Sequence, residues 1–240
     1  MIMINRKAST SGKSKPHSNN KTKIIAGAIS IAVVAGGAGY AYNEIVSPPG
    51  SIYTVSYYKL RKAKNNLANL EVRATDEAPL EYNSNGNVPT DWADTNNSGC
   101  KTRPDVLLAS LENAVNGNCE VQSGELFDYY TGKIISLEDG IDIDHIVAKK
   151  NAWDSGGYIW DKDAWVAYAN DEDRVLIATS ESVNRSKGSK DAADWLPENT
   201  EYWCKYVIQQ LEIKKFYNLS VRQAEKDKMQ EVLTNNCKTK

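Results

Sequence analysis

Ile141-Asp142-Ile143-Asp144-His145-Ile146-Val147 is the stretch on which the fold turns. Its β-branched residues alternate with carboxylates, the period of a strand with one buried face. A carboxylate is followed at once by His145, and the other histidine, His17, lies far off in the amino-terminal tail. Neighbouring strand residues point to opposite faces, so Asp144 and His145 serve one site only where the strand ends or twists. Asp142 shares a face with Asp144 and is expected to be a hairpin-facing surface carboxylate rather than part of a site.

Working outward, two extended segments precede this strand, Gly124 to Tyr129 and Lys133 to Leu137, separated by Thr131-Gly132. Asp139-Gly140 offers a tight hairpin turn into the third, so the three are expected to form one small antiparallel sheet. Pro104 suits the first turn of a helix, which Val106, Leu107, Leu111, Ala114 and Val115 continue until Asn116-Gly117 stops it. Downstream, Asp161 caps a short helix carrying Trp165 and Tyr168, and Arg174 to Ala178 is a further strand. Tyr202 to Tyr217 has the pattern of an amphipathic helix through Trp203, Tyr206, Val207, Leu211 and Lys214. Ser220 with Gln223 resembles a capping box that opens a last helix through Ala224, Met229 and Leu233. The fold class is α+β.

Residues 43–98 are expected to be a linker with one helix, Tyr53 to Leu70, whose apolar and aromatic positions are Val55, Tyr58, Leu67 and Leu70. From Ala74 to Gly99 the composition turns to Asp, Asn, Pro, Ser and Gly, a long loop ahead of a folded core over residues 99–240. Residues 1–23 carry six basic and no acidic side chains and are expected to be disordered. Residues 24–42, IIAGAISIAVVAGGAGYAY, carry no charge, and about twenty apolar residues suffice for a transmembrane helix. The segment is expected either to stay as an anchor or to be removed as a signal. The basic flank before it places the rest of the chain outside the cytoplasm, secreted or anchored.

All four cysteines, Cys100, Cys119, Cys204 and Cys237, follow that segment, and an even count in an exported chain implies disulfides. Of three connectivities, Cys100 with Cys119 and Cys204 with Cys237 is favoured, because each pair closes one modest local loop. Zinc is disfavoured: no cysteine pair has C-x-x-C spacing and His145 is the one histidine beyond the tail. The formal net charge of −2 over 240 residues excludes a global basic footprint, so any nucleic-acid partner must meet a local patch. The tryptophans Trp153, Trp160, Trp165, Trp195 and Trp203 are expected in the core rather than as base-stacking platforms.

About forty residues after the Asp-His pair comes Ser182-Val183-Asn184-Arg185-Ser186-Lys187-Gly188-Ser189-Lys190-Asp191, a polar basic segment leading into a helix. Together the two resemble the HNH signature. In that family a strand ends in Asp-His, a second strand returns, and the first turn of a helix supplies an Asn or His that shares a metal ion with the Asp. The resemblance extends to HNH domains of RNA-guided DNA nucleases, to the nuclease domain of GmrSD-type modification-dependent restriction enzymes, and to small exported bacterial HNH endonucleases. It covers roughly residues 92 to 237, through GCKTR at 99–103, SGELFDYYTGK at 123–133, AWDSG at 152–156 and NRSKGSKDAADWLP at 184–197. Ala148 departs from the usual proline, and the middle residue that braces the histidine is not readable, Asn170 and Asp173 being candidates.

What the resemblance implies is a ββα-metal core with a small antiparallel sheet and flanking helices. His145 is then the general base, since a neutral imidazole takes a proton from water near neutral pH. Asp144 and the side-chain oxygen of Asn184 become hard ligands suited to Mg²⁺ or Mn²⁺, and no organic cofactor is implied. Arg185 and Lys187, with Lys190 nearby, and Arg103 are expected phosphate contacts. Nothing reads base edges, so the expected substrate is DNA, or RNA, with little sequence specificity. The alternative is an exported disulfide-bonded protein that holds nucleic acid or a surface partner on a non-catalytic scaffold of this type. A nuclease toxin delivered to other cells would share the chemistry.

Overall fold

Pairing of short strands across long sequence separations organises the chain in the computed structural model, which describes residues 54–239. The expectations for residues 1–23 and 24–42 lie outside the described residues, and among those described no helix is long and apolar enough to cross a membrane. Strand β1 (Thr54–Val55) leads into helix α1 (Tyr57–Ala68), capped by the Ser56 hydroxyl, which accepts from the Lys59 backbone N–H at 3.2 Å. Leu60, Ala63 and Leu67 form its buried face. Tyr58, expected on the apolar stripe, is 67% exposed instead, because the i, i+3, i+7 spacing runs from Leu60.

Residues 71–98, expected to be loop or linker, are irregular but pinned to the body of the domain. The Trp153 indole donates to the Leu80 carbonyl at 3.0 Å, Arg73 N–H to the Val221 carbonyl at 2.8 Å, and Thr102 N–H to the Ala93 carbonyl at 2.8 Å. The asparagines that mark this stretch as loop also tie it down: Asn83 Oδ1 accepts from Val88 N–H at 2.9 Å, and Val88 is buried. The helix expected from Pro104 to Val115 ends early. Helix α2 covers Thr102–Ser110, and β2 (Glu112–Gly117) then pairs antiparallel with β3 (Glu120–Asp128). Asn118 and Cys119 turn the chain between them with positive φ, and Cys119 is bonded to Cys100. Strand pairing overrides the helical spacing of Leu111, Ala114 and Val115, whose neighbours Asn113, Asn116 and Gly117 are weak helix formers.

Strand β4 (Lys133–Ser136) returns antiparallel along β3 as expected, with Asp128 opposite Lys133 and Glu125 opposite Ser136. The third strand does not join them. A single 3₁₀ turn, Leu137–Asp139, is fastened by a Ser136/Asp139 capping box, and Gly140 leaves it at φ 87°, a conformation that favours glycine. Strand β5 (Ile141–His145) thereby starts a separate two-stranded sheet. After helices α3 (Lys149–Asp154) and α4 (Lys162–Ala169, capped by Asp161), β6 (Leu176–Ser180) pairs antiparallel with β5, Ile141 opposite Ser180 and His145 opposite Leu176. Helix α5 (Glu181–Lys187) follows β6 without a loop.

Helix α6 (Trp203–Phe216) is buried on more than one side, because it runs between two cores. Tyr206 and Ile213 face the aromatic cluster under the β5–β6 pair, while Val207, Ile208 and Leu211 meet Leu67 of α1 and Met229 of α7 (Gln223–Asn235). Its Lys214, fully buried, donates to Asn151 Oδ1 at 2.9 Å and pairs with Glu225 at 3.0 Å. The expected Ser220 capping box does not form: Arg222 occupies the N-cap, and Ser220 donates to the Ser155 carbonyl. Strand β7 (Lys238–Thr239) pairs parallel with β1, and Cys204–Cys237 fastens it to α6, so both disulfides are those favoured by loop length. The architecture is α+β, with seven helices and small sheets among the described residues.

Candidate active site

Ile141 and Ile143 of β5 face the core, and the strand ends at His145. At that end Asp144 and His145, on opposite faces by strict alternation, line one cleft of about 250 Å³ with Ala148, Lys149 and Asn184. The condition that adjacency imposed is met by strand termination.

Asp144 is buried, and each carboxylate oxygen has a partner. Oδ2 accepts from the Tyr130 hydroxyl at 2.7 Å and Oδ1 from the Lys187 ammonium at 2.8 Å. Burial pushes this carboxyl above its ordinary range, against the opposing pull of Lys187. Tyr130 is held by its neighbours: its N–H donates to Asp128 Oδ1, and its ring packs against Trp195, Tyr202 and Tyr206. Asp128 also accepts from Thr179 of β6 at 2.7 Å, so the β3 end and the β5–β6 pair share one buried hydrogen-bond network. Tyr130 belongs to the SGELFDYYTGK block, but nothing in its local sequence marked it as a partner of Asp144.

His145 is half-buried between two rings, Trp92 at 5.6 Å and 9° interplanar, Tyr168 at 6.2 Å and 19°. Its Nε2 lies 3.0 Å from the Ala169 carbonyl oxygen. A carbonyl only accepts, so Nε2 carries the hydrogen and, in the neutral ring, Nδ1 keeps the lone pair. Burial, with the charges of Lys149 and Lys187, holds the pKa down to about 3, so the ring is neutral at neutral pH. The brace on the histidine is thus a main-chain carbonyl. Of the two side-chain candidates, Asn170 caps α4 and accepts from Ala93 N–H at 2.9 Å, and Asp173 is exposed.

Asn184 enters the cleft from the first turns of α5. Its Nδ2 donates to Asp142 Oδ2 at 2.8 Å, and its Oδ1 has no protein partner among the described residues. Asp142 therefore orients Asn184 instead of facing solvent as an idle carboxylate. The basic residues are placed differently from expectation. Lys187 is fully buried, because the α5 register turns it inward onto Asp144 and the His145 carbonyl, 2.8 Å from each. Arg103 donates to the Ile141 carbonyl at 3.1 Å, at the far end of β5, and does not line the cleft. Arg185 is exposed and paired with Glu181 one turn away; Lys190 is exposed and donates to the Ser186 carbonyl. Among the described residues no group of three His, Cys, Asp or Glu side chains is arranged to hold a metal ion.

Residues 83–232 match the family model described as GmrSD restriction endonucleases, C-terminal domain. An uncharacterized secreted protein of Arthroderma benhamiae is 35% identical over 177 residues, covering 73% of this chain and 84% of that relative. No solved structure matches.

Proposed function

The chain belongs to the family of GmrSD restriction endonuclease C-terminal domains, and from that premise we propose that it is an exported, metal-dependent nuclease with an HNH-type ββα core. The observation that carries the reading is the His145 ring. It is neutral, held by the Ala169 carbonyl and two flanking aromatics, and it lines the cleft together with Asp144 and Asn184. The β5–β6 pair running straight into α5 supports the reading of a ββα core.

His145 Nδ1 takes the proton of the attacking water, and Ala169 stabilises the imidazolium through Nε2–H as it forms. The incoming phosphodiester is anionic and raises the His145 pKa from its low value, which makes the ring a better base when substrate is present. Lys187 and Tyr130 hold Asp144 at the cleft wall, and Asp142 turns the Asn184 amide so that Oδ1 is presented. Asp144 and Asn184 would offer hard oxygen donors to a small divalent ion such as Mg²⁺ or Mn²⁺, Asp144 through lone pairs not used by Lys187 and Tyr130. Such an ion, when bound, supplies Lewis-acid stabilisation of the phosphoryl and leaving oxygens.

The proposed substrate is DNA, or nucleic acid more widely, cut with little sequence preference, a reading supported by the family match. Export rests on the uncharged segment 24–42 with its basic flank, on the two disulfides, and on the relative described as secreted. The test is to incubate the oxidised protein with supercoiled plasmid and with structured RNA, in Mg²⁺, Mn²⁺ or EDTA. Nicking only with a divalent ion supports the reading. Intact nucleic acid in every condition, with ion-independent binding, would assign the protein to the non-catalytic class.

A further inference from the structure

The cleft wall holds a cation that the family resemblance does not identify. Lys149 follows Ala148 at the start of α3 and lines the cleft beside His145. Its ammonium has three hydrogens and donates one to the Pro89 carbonyl at 3.1 Å. Among the described residues no carboxylate pairs with it. The other cations around the cleft are already engaged: Lys150 on Asp154 at 2.7 Å, Lys187 on Asp144 at 2.8 Å, and Arg185 on Glu181. Lys149 is half-buried, and that burial lowers its pKa.

A half-buried ammonium with spare donors and no counter-ion is an incomplete electrostatic arrangement, and an anion entering the cleft completes it. We infer that Lys149 is the phosphate-binding residue of the cleft, holding a phosphodiester oxygen next to His145 in the place that the buried Lys187 cannot serve. The carbonyl of Pro89 steadies the side chain and leaves two N–H groups for the anion. The contact is to backbone phosphate, so it contributes affinity without base preference. As a statement about substrate, this inference rests on the nuclease reading, but phosphate binding is measured apart from cleavage.

The experiment uses the full chain carrying His145→Ala, in EDTA, with a fluorescein-labelled DNA duplex titrated by anisotropy at several salt concentrations. Adding Lys149→Ala is expected to weaken binding about tenfold and to reduce the slope of log K against log salt by about 0.9, one phosphate contact. Lys149→Arg retains the slope. Lys62→Ala, on the exposed face of α1, serves as the comparison for loss of any one surface charge. A Lys149→Ala protein that matches Lys62→Ala in affinity and slope overturns the inference. Cleavage by the unmutated protein is scored in parallel: no cleavage with a lost slope contradicts the nuclease reading alone, and cleavage with an unchanged slope contradicts this inference alone.

Discussion

The Lys187 ammonium donates to Oδ1 of Asp144 at 2.8 Å, and both side chains are buried. The same ammonium donates to the main-chain carbonyl of His145 at 2.8 Å. One side chain from α5 therefore clamps both members of the Asp-His pair, while Tyr130 holds Asp144 from the opposite side. The Asp-His pair is anchored from beneath.

Removing the ammonium leaves a buried carboxylate with a tyrosine hydroxyl as its main remaining partner. Lys187→Met is expected to cost about 3–5 kcal/mol in urea denaturation, the usual range for breaking a buried pair. Asp144→Asn with Lys187→Met should cost less than the two single changes summed. Strict additivity would show that the two residues are not coupled.

Acid sensitivity is expected at the Asp191–Arg222 pair, through the carboxyl of Asp191. Burial works to raise the Asp191 carboxyl, but the hydrogen bonds from Arg222, one at 2.9 Å, outweigh it and hold the pKa below the ordinary value. A group depressed in the folded state contributes its stability above the unfolded pKa and loses it as pH falls through the folded one. The stability difference between the parent protein and Asp191→Asn should therefore shrink as pH falls from the ordinary carboxylate range through the lowered Asp191 pKa. Urea midpoints at stepped pH measure it, and a constant difference would refute this assignment.

The carboxyl-terminal disulfide closes a separation of 33 residues and ties β7 to α6. Cys204→Ala with Cys237→Ala should lower stability by about 2–4 kcal/mol, chiefly by freeing the unfolded chain. Equal melting temperatures with and without reductant would show that neither bridge constrains the fold.

Trp92 stacks on His145 without a hydrogen bond to it, so it positions the ring by contact. Trp92→Ala should lower kcat about tenfold with KM little changed, since a small misplacement of the base affects chemistry more than binding. Trp92→Phe should recover most of the rate. A rise in KM at unchanged kcat would instead make Trp92 a substrate-binding surface.

The fold was legible where local chemistry decides it: the β3–β4 pairing around Thr131-Gly132, the Asp161 cap, the last two helices and both cysteine pairs. It was misread where long-range pairing decides. Periodicity near Val115 fits a helix until β3 is present to pair with, and nothing in Asp139-Gly140 says that the next strand will find β6, some forty residues away, rather than β4. At the site, Asp144, His145 and Asn184 were found by their neighbours in sequence, and the structure brings all three to one cleft. Tyr130, Trp92 and the Ala169 carbonyl were not, because they converge on the Asp-His pair from separate elements and a backbone oxygen carries no residue signature. Lys187 was expected to contact phosphate as one of a basic run, yet helical register turns it inward onto Asp144 and the His145 carbonyl.

The most direct measurement is divalent-ion-dependent nicking of supercoiled plasmid by the oxidised protein beside its His145→Ala variant, with matched circular dichroism and melting curves. The account predicts that the parent protein nicks in Mg²⁺ or Mn²⁺ and not in EDTA, and that the folded variant loses at least about a hundredfold in rate, as expected for loss of a general base. Undiminished nicking by the folded His145→Ala protein would contradict it.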